Sequence, residues 1–338
     1  MRVGNNPHKD KETSHANYLH QIVIPVYIPN FEGYFKDSFK ILQLCVNSIL
    51  ATVHDKTFVT IINNGSCTEI RNYLDDLFQK NAIHEVIHTE NIGKLNAILK
   101  GISGNNIPYV TIADSDVLFC SNWQEATMEV FNAFEKAGVV GITPQFKTYE
   151  TNCGNLLFEN YFSNKIKFTE VAQPTELEMF YQSVGWGKNF NTDYLKYTLS
   201  IENSNGNALI GSGHFVATYH KELFKEMPTF FGYKMGGDSE AFLDKVALNK
   251  GLWRLTTTHN FAFHMGNSFE NWMDEATIEK NDAFNFDLYA ESRKVKQVSK
   301  VEYFIKNKLF TRLCFSKRFF KKIFYKRFQL PTEMRNKY

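Results

Sequence analysis

Asp114-Ser115-Asp116 follows the apolar run Tyr109 to Ala113 directly, so two carboxylates leave a buried strand together. Hard oxygen ligands at that spacing suit Mg²⁺ or Mn²⁺, which need only one or two carboxylates when phosphate oxygens complete the shell. A turn after a strand favours the same residues, so on local grounds a turn and a metal site are equally open. Either way the acids need a scaffold, and the neighbouring segments supply one. Gln21 to Val26 is apolar and Phe58 to Ile62 is β-branched; with Tyr109 to Ala113 they read as buried strands. Ser38 to Leu50 and Glu69 to Lys80 carry helical apolar spacing between them. Strand and helix therefore alternate as in an α/β protein with a parallel sheet and crossover helices. Ligands of such sheets collect at the carboxyl ends of the strands. Those ends carry Pro25-Val26-Tyr27, Asn63-Asn64-Gly65-Ser66 and the acid pair.

The 338 residues are enough for one large α/β domain with an appendage. A net charge of +2 rules out a general polycation, and no nucleic-acid motif is present, so nucleic acid is not expected as a partner. The 5 cysteines are odd in number, widely spaced and without a C-x-x-C pair, which argues against disulfides or a zinc site and for a reducing compartment. No run approaches the roughly 18 apolar residues of a membrane span. The polar stretch Met1 to His20 has no signal-peptide character, which predicts a cytoplasmic protein.

Beyond Pro144 the periodicity weakens as far as Asn207, as expected of loops covering a site. Ala208 to Thr218, Gly236 to Lys250 and Leu252 to His264 then read as strand, helix and strand. From Lys306 to Arg327 there are 9 basic residues and no acid, interleaved with Leu309, Phe310, Leu313, Phe319, Phe320, Ile323 and Phe324. Such a helix suits an anionic membrane surface, or packs on the domain with a solvated basic face.

The ordered series Ile24-Pro25-Val26-Tyr27, Asn63-Asn64-Gly65-Ser66, Asn91-Ile92-Gly93-Lys94, Asp114-Ser115-Asp116, Gly211-Ser212-Gly213 and Gly237-Asp238-Ser239-Glu240 resembles the family 2 glycosyltransferases of GT-A fold, of the bacterial surface-polysaccharide type. The resemblance covers Gln21 to Asn267. It implies a GT-A fold, a Rossmann-like mixed sheet flanked by helices, with a helical basic tail added. It divides the chain into a polar extension (1–20), a catalytic domain (21–267, its nucleotide-sugar half 21–143 and acceptor half 144–267) and the tail (268–338). A nucleotide diphosphate sugar, UDP-linked by preference, would lie against Pro25, Val26, Tyr27, Asn63, Asn91, Lys94, Asp114 and Ser115. Asn63 departs from the family, which commonly has aspartate there, and this leaves the base open. Mn²⁺ or Mg²⁺ would be held by Asp116 and His264, with Asp114 on the metal or the ribose; His259 is the competing imidazole.

The same resemblance puts Asp238 at the catalytic base, where a positioned carboxylate takes the acceptor's proton; as an N-cap the residue has a structural use as well. Trp186, Gly213 and Glu240 would face a saccharide or lipid-linked saccharide acceptor. The implied enzyme is an inverting, metal-dependent glycosyltransferase of cell-surface glycan synthesis, peripheral on the cytosolic face of the membrane. Two rivals remain. A nucleotidyltransferase usually has a glycine-rich basic loop where Tyr27-Ile28-Pro29-Asn30 stands, and a non-catalytic saccharide-binding protein would tolerate loss of Asp114, Asp116 and Asp238, which are retained.

Overall fold

A computed structural model describes residues 4–11, 17–187, 190–235, 238–276, 284–289, 295 and 297–338, the first three residues of the helix that starts at Asp238 by backbone alone. The first half runs β1 (His20–Val26), α1 (Ser38–Thr52), β2 (Thr57–Asn64), α2 (Thr68–Gln79), β3 (Glu85–Thr89), α3 (Lys94–Ile102), β4 (Tyr109–Ala113), β5 (Val117–Phe119), α4 (Trp123–Ala133) and β6 (Ala137–Gly141). Next come α5 (Gly154–Asn160), β7 (Ile166–Glu170), α6 (Pro174–Ser183), β8 (Tyr197–Asn203), β9 (Gly206–Ile210), β10 (Val216–His220), α7 (Asp238–Asn249), β11 (Trp253–Thr256), β12 (Ala262–His264) and α8 (Trp272–Glu275). The tail is α9 (Lys300–Phe304), a π-helical turn at Ile305–Leu309, α10 (Phe310–Phe315) and α11 (Arg318–Arg327). Among the described residues no helix is long and apolar enough to cross a membrane.

Ten strands form one mixed sheet in the order β3-β2-β1-β4-β10-β6-β11-β9-β8-β7. β1 to β4 pair in parallel, and β10 lies antiparallel between β4 and β6. Alternation along each strand divides its side chains between two layers. Ile22 and Ile24 of β1 pack with Ile41, Val46 and Ile70 of α1 and α2, whereas Val23 faces Leu95 and Ile98 of α3 and Leu243 of α7. Burial on both faces is why β1, β2 and β4 are mainly apolar, with polar residues such as Gln21, Thr60 and Thr111 hydrogen-bonded inside.

Three sequence expectations are corrected. Ala208 to Thr218 is two strands, because Gly211 has φ +99° and a side chain there would meet Thr148. Leu252 to His264 likewise divides into β11 and β12; between them the Asn260 N–H donates to Gln173 Oε1 at 2.6 Å and the chain leaves the main sheet. The stretch from Pro144 to Asn207 holds α5, β7, α6 and β8 where loops were expected. β7 buries one face, and part of what covers it lies in the tail.

Phe324, Tyr325, Phe328 and Leu330 are fully buried in one cluster with Tyr149, Phe168 and Leu199. The Phe168 N–H donates to Phe328 O at 2.8 Å, so the tail also bonds to the backbone of β7. At the π-turn, Asn307 Oδ1 accepts from the N–H of Asn155 at 2.9 Å and so caps α5. The approach requires Gly154, where a Cβ would stand 2.4 Å from Lys306 O. Lys306 pairs with Glu159 at 2.8 Å beside it.

Candidate active site

The carboxyl ends of β1, β2 and β4 open on a pocket of about 540 Å³. Pro25, Val26, Tyr27, Lys94, Asp114, Ser115 and Asp116, all expected at the site, line it. Tyr34, Ser38, Asn64, Met235, Gly266 and Asn267 also line it and were not among the residues expected against the donor. Asn63 turns the other way. It is buried, its Oδ1 accepts from the Ser66 N–H at 2.9 Å, and its Nδ2 lies 3.0 Å from His88 Nδ1, whose Nε2 meets Asp75 at 2.8 Å. The pocket wall at this strand end is Asn64, with its Oδ1 accepting from Ile92 N–H at 3.0 Å. Alternation decides which of two adjacent asparagines faces in, and the strand's exact register is not written in a single sequence.

Asn91 shapes the loop, its Oδ1 accepting from the Gly93 N–H at 3.2 Å. Gly93, with φ +90°, lets the loop pass under Tyr233, whose carbonyl oxygen would lie 2.7 Å from any Cβ. Lys94 then begins α3, and its ammonium pairs with Asp114 at 2.6 Å. The Asp114 N–H donates to Phe215 O at 2.8 Å, carrying the β4–β10 ladder one residue into the acid motif.

Asp116 meets the histidine that the resemblance paired with it. β5 and β12 form a separate antiparallel ladder with His264 opposite Val117, and the Met265 N–H donates to Asp116 O at 2.8 Å. His264 Nε2 stands 3.4 Å from Asp116 Oδ2, and His264 Nδ1 stands 3.0 Å from Ser183 Oγ of α6. His259 is exposed, with its ring beside its neighbour Thr258 at 3.3 Å. Burial pushes the Asp116 carboxyl up, His264 draws it down and Asp114 adds to the rise, leaving it at about 6. Among the described residues no three His, Cys, Asp or Glu side chains are grouped to hold a metal. A divalent ion nevertheless fits the pair: Asp116 Oδ1 is buried without a hydrogen-bond partner, and carboxylate with imidazole is an acceptable donor set for Mn²⁺.

Gly213 packs against Gln145, with its Cβ position 2.1 Å from Gln145 Nε2. Trp186 is exposed and tilted against Tyr181 at 4.9 Å. α7 begins at Asp238; the side chains of Asp238 and Glu240, with Gly236 and Gly237, lie outside the described residues. One turn and a half further along α7, Asp244 receives the buried Arg254 guanidinium at 2.6 Å, and the same guanidinium donates to Ser212 O. Against the cost of burial, His214 and Arg254 hold the Asp244 carboxyl below its usual range. Arg254 thereby ties α7 to the loop between β9 and β10.

Asp116 has a consequence for stability. Its carboxyl ordinarily titrates near 3.8 and here near 6, so the folded state binds the proton more tightly than the unfolded state. The ionised form therefore costs the fold nothing below about pH 4, increasingly more between 4 and 6, and a constant amount above. In metal-free protein at pH 7.5, Asp116→Asn should be the more stable by about 1–3 kcal/mol, the difference closing toward pH 4. Melting curves in chelator across that range test this, and a variant that melts at or below the parent at pH 7.5 contradicts it.

The model of the glycosyl transferase family 2 matches residues 22–191, a segment that holds the acid pair and ends before α7 and β12. No curated protein matches the chain. Among solved structures, S. aureus TarS 1-349 is 11% identical over 73% of this chain and 60% of that one, with a TM-score of 0.43. The same protein in complex with UDP-GlcNAc gives 11%, 77%, 62% and 0.44. The mannosyltransferase PcManGT from Pyrobaculum calidifontis, in complex with GDP-Man and Mn²⁺, gives 13%, 73%, 58% and 0.41. Each match takes in less than two thirds of the neighbour, and likenesses this low carry no function across. The family match covers half of the 338 residues, with the strands β1, β2 and β4 and the acids at their ends, and the chain belongs to glycosyl transferase family 2.

Proposed function

We propose that this chain transfers a sugar from a nucleotide diphosphate, UDP by preference, to an acceptor hydroxyl with inversion at the anomeric carbon, in the synthesis of a cell-surface glycan. The observation that carries the reading is the meeting of Asp116 and His264 at 3.4 Å beside Lys94 and Asp114, on a pocket where three parallel strands end. In this reading Pro25, Val26 and Tyr27 receive the nucleoside, and Asn64 takes the wall position first expected of Asn63. Lys94 offers an ammonium to the diphosphate, and Asp114 holds that ammonium in place. Asp116 and His264 would hold Mn²⁺ or Mg²⁺, which when bound neutralises charge on the departing diphosphate. Asp238 takes the proton of the acceptor hydroxyl as its oxygen bonds to the anomeric carbon and the carbon–phosphate oxygen bond breaks. Trp186, Gly213 and Glu240 belong to the acceptor side of this proposal.

The acceptor is a saccharide, or a saccharide on a lipid, met at the cytosolic face of a membrane. What supports the membrane is the outer side of the tail. Leu309, Leu313, Phe319 and Ile323 are 44–67% exposed, among Lys308, Arg312, Lys317 and Lys322, while Phe324 and Phe328 serve the core. An apolar and cationic surface of this kind suits anionic headgroups. Leu313→Ser with Phe319→Ser should leave the melting temperature in place and weaken binding to phosphatidylglycerol vesicles at least tenfold. A parent that ignores such vesicles at low salt, or a variant that binds them equally, removes the membrane from the proposal.

The chemistry is tested at Asp238. A general base acts on the acceptor, so Asp238→Asn should keep nucleotide-sugar affinity and lower turnover by about 10²- to 10⁴-fold. Asparagine still caps a helix, which separates the base from the N-cap. Release of nucleotide diphosphate and the anomeric configuration of the product are the readouts. Turnover within a few fold of the parent excludes Asp238, and a retained configuration excludes single displacement.

A further inference from the structure

α6 was expected to be loop, yet its last residue, Ser183, touches the imidazole at the acid pair. The Ser183 hydroxyl donates to Phe180 O at 2.7 Å, within the last turn of the helix. Its single proton is spent there, so toward His264 Nδ1, at 3.0 Å, the oxygen can only accept. Nδ1 must then carry hydrogen. In the neutral ring that leaves Nε2 as a bare lone pair, and Nε2 is the nitrogen facing Asp116 at 3.4 Å. Asp116 Oδ1, buried without a hydrogen-bond partner, adds an acceptor at the same place. Carboxylate and lone pair thus converge with no hydrogen between them, an arrangement a shared cation completes.

The rest of the surroundings hold the ring rather than bind it. Phe215 and Phe180 stand edge-on to the imidazole at 5.5 and 6.2 Å, and the ladder to β5 fixes its backbone. Neither phenyl ring offers a donor or acceptor, so the polar groups that bear on the tautomer are Ser183 at Nδ1 and Asp116 at Nε2.

We propose that Ser183 is the positioning residue that keeps His264 in its Nδ1–H tautomer, so that Nε2 and the Asp116 carboxylate face one divalent cation. The inference rests on the metal-site reading above. It assigns to α6, far from both acids in sequence, the task that a metal-bound histidine commonly gives its outer nitrogen.

Nitrogen-detected NMR of the full chain in chelator at pH 7.5 reads the tautomer without metal or turnover. The parent should show His264 with hydrogen on Nδ1 only. Ser183→Ala should shift the ring toward the Nε2–H form, now donating to Asp116. Calorimetric titration with Mn²⁺ in the presence of UDP should then show a loss of about 10- to 100-fold in Ser183→Ala, with Ser183→Thr within about threefold of the parent and UDP binding in chelator unchanged. A parent ring with hydrogen on Nε2, whether alone or on both nitrogens, overturns the inference even if Ser183→Ala fails to fold. Two further outcomes separate the inference from its premise. If His264→Ala loses Mn²⁺ while Ser183→Ala keeps it within twofold, only the role of Ser183 falls. If His264→Ala binds Mn²⁺ as the parent does, the metal-site reading falls and takes the inference with it.

Discussion

The site depends on a two-stranded ladder that stands outside the main sheet. β12 lies antiparallel to β5, with His264 opposite Val117, Ala262 opposite Phe119 and the Met265 N–H bonded to Asp116 O. Antiparallel register is discrete, and a slip of one residue would turn His264 to the opposite face. Ala262, Leu118 and Phe119 are buried, so such a slip would also expose apolar surface. The Thr143 hydroxyl donates to Ala262 O at 2.8 Å and anchors the ladder to the chain beyond β6.

Around the ladder the charges are unevenly settled. Asp114 has its lysine at 2.6 Å, while Asp116 faces an imidazole at 3.4 Å and partial burial of its carboxyl raises it to about 6. A protein built for stability alone gains nothing from an acid held in this state, and such imbalance is more common at functional sites. Arg254 shows the contrast. It is buried, yet Asp244 and Ser212 O meet it, and it serves as a tie between α7 and the loop before β10.

Much of the first half was legible because its physics is local. β1, β2 and β4 are covered on both faces and appear as apolar runs, and α1 and α2 begin and end within two residues of their expected bounds. The pairing of Asp116 with His264 came from resemblance to a family; spacing alone could not have supplied it. β7 and β8 were missed in part because some of what packs with them, such as Tyr325 and Phe328 against Phe168, lies more than a hundred residues later. Ser183 carried no signal at all, since its contact with His264 crosses 81 positions. The tail was read as either membrane-facing or packed; its inner face is packed, and its outer face keeps Leu313, Phe319 and Ile323 in solvent. The asparagine pair shows the finest limit: Asn63 and Asn64 differ only in which way they point, and hydrogen bonds to His88, Ser66 and Ile92 settle it.

The central claim is that Asp116 and His264 form half of a cation site whose other half is the donor's diphosphate. Linkage makes this measurable without any acceptor, because two ligands that complete one site must each tighten the other by the same factor. Calorimetric titration of UDP and of GDP into the full chain, with Mn²⁺ and in chelator, reads the factor directly. The account predicts at least tenfold tighter binding with Mn²⁺ for one of the two nucleotides, the reciprocal gain for Mn²⁺ itself, and loss of both in Asp116→Ala. Equal affinity in Mn²⁺ and in chelator would contradict it.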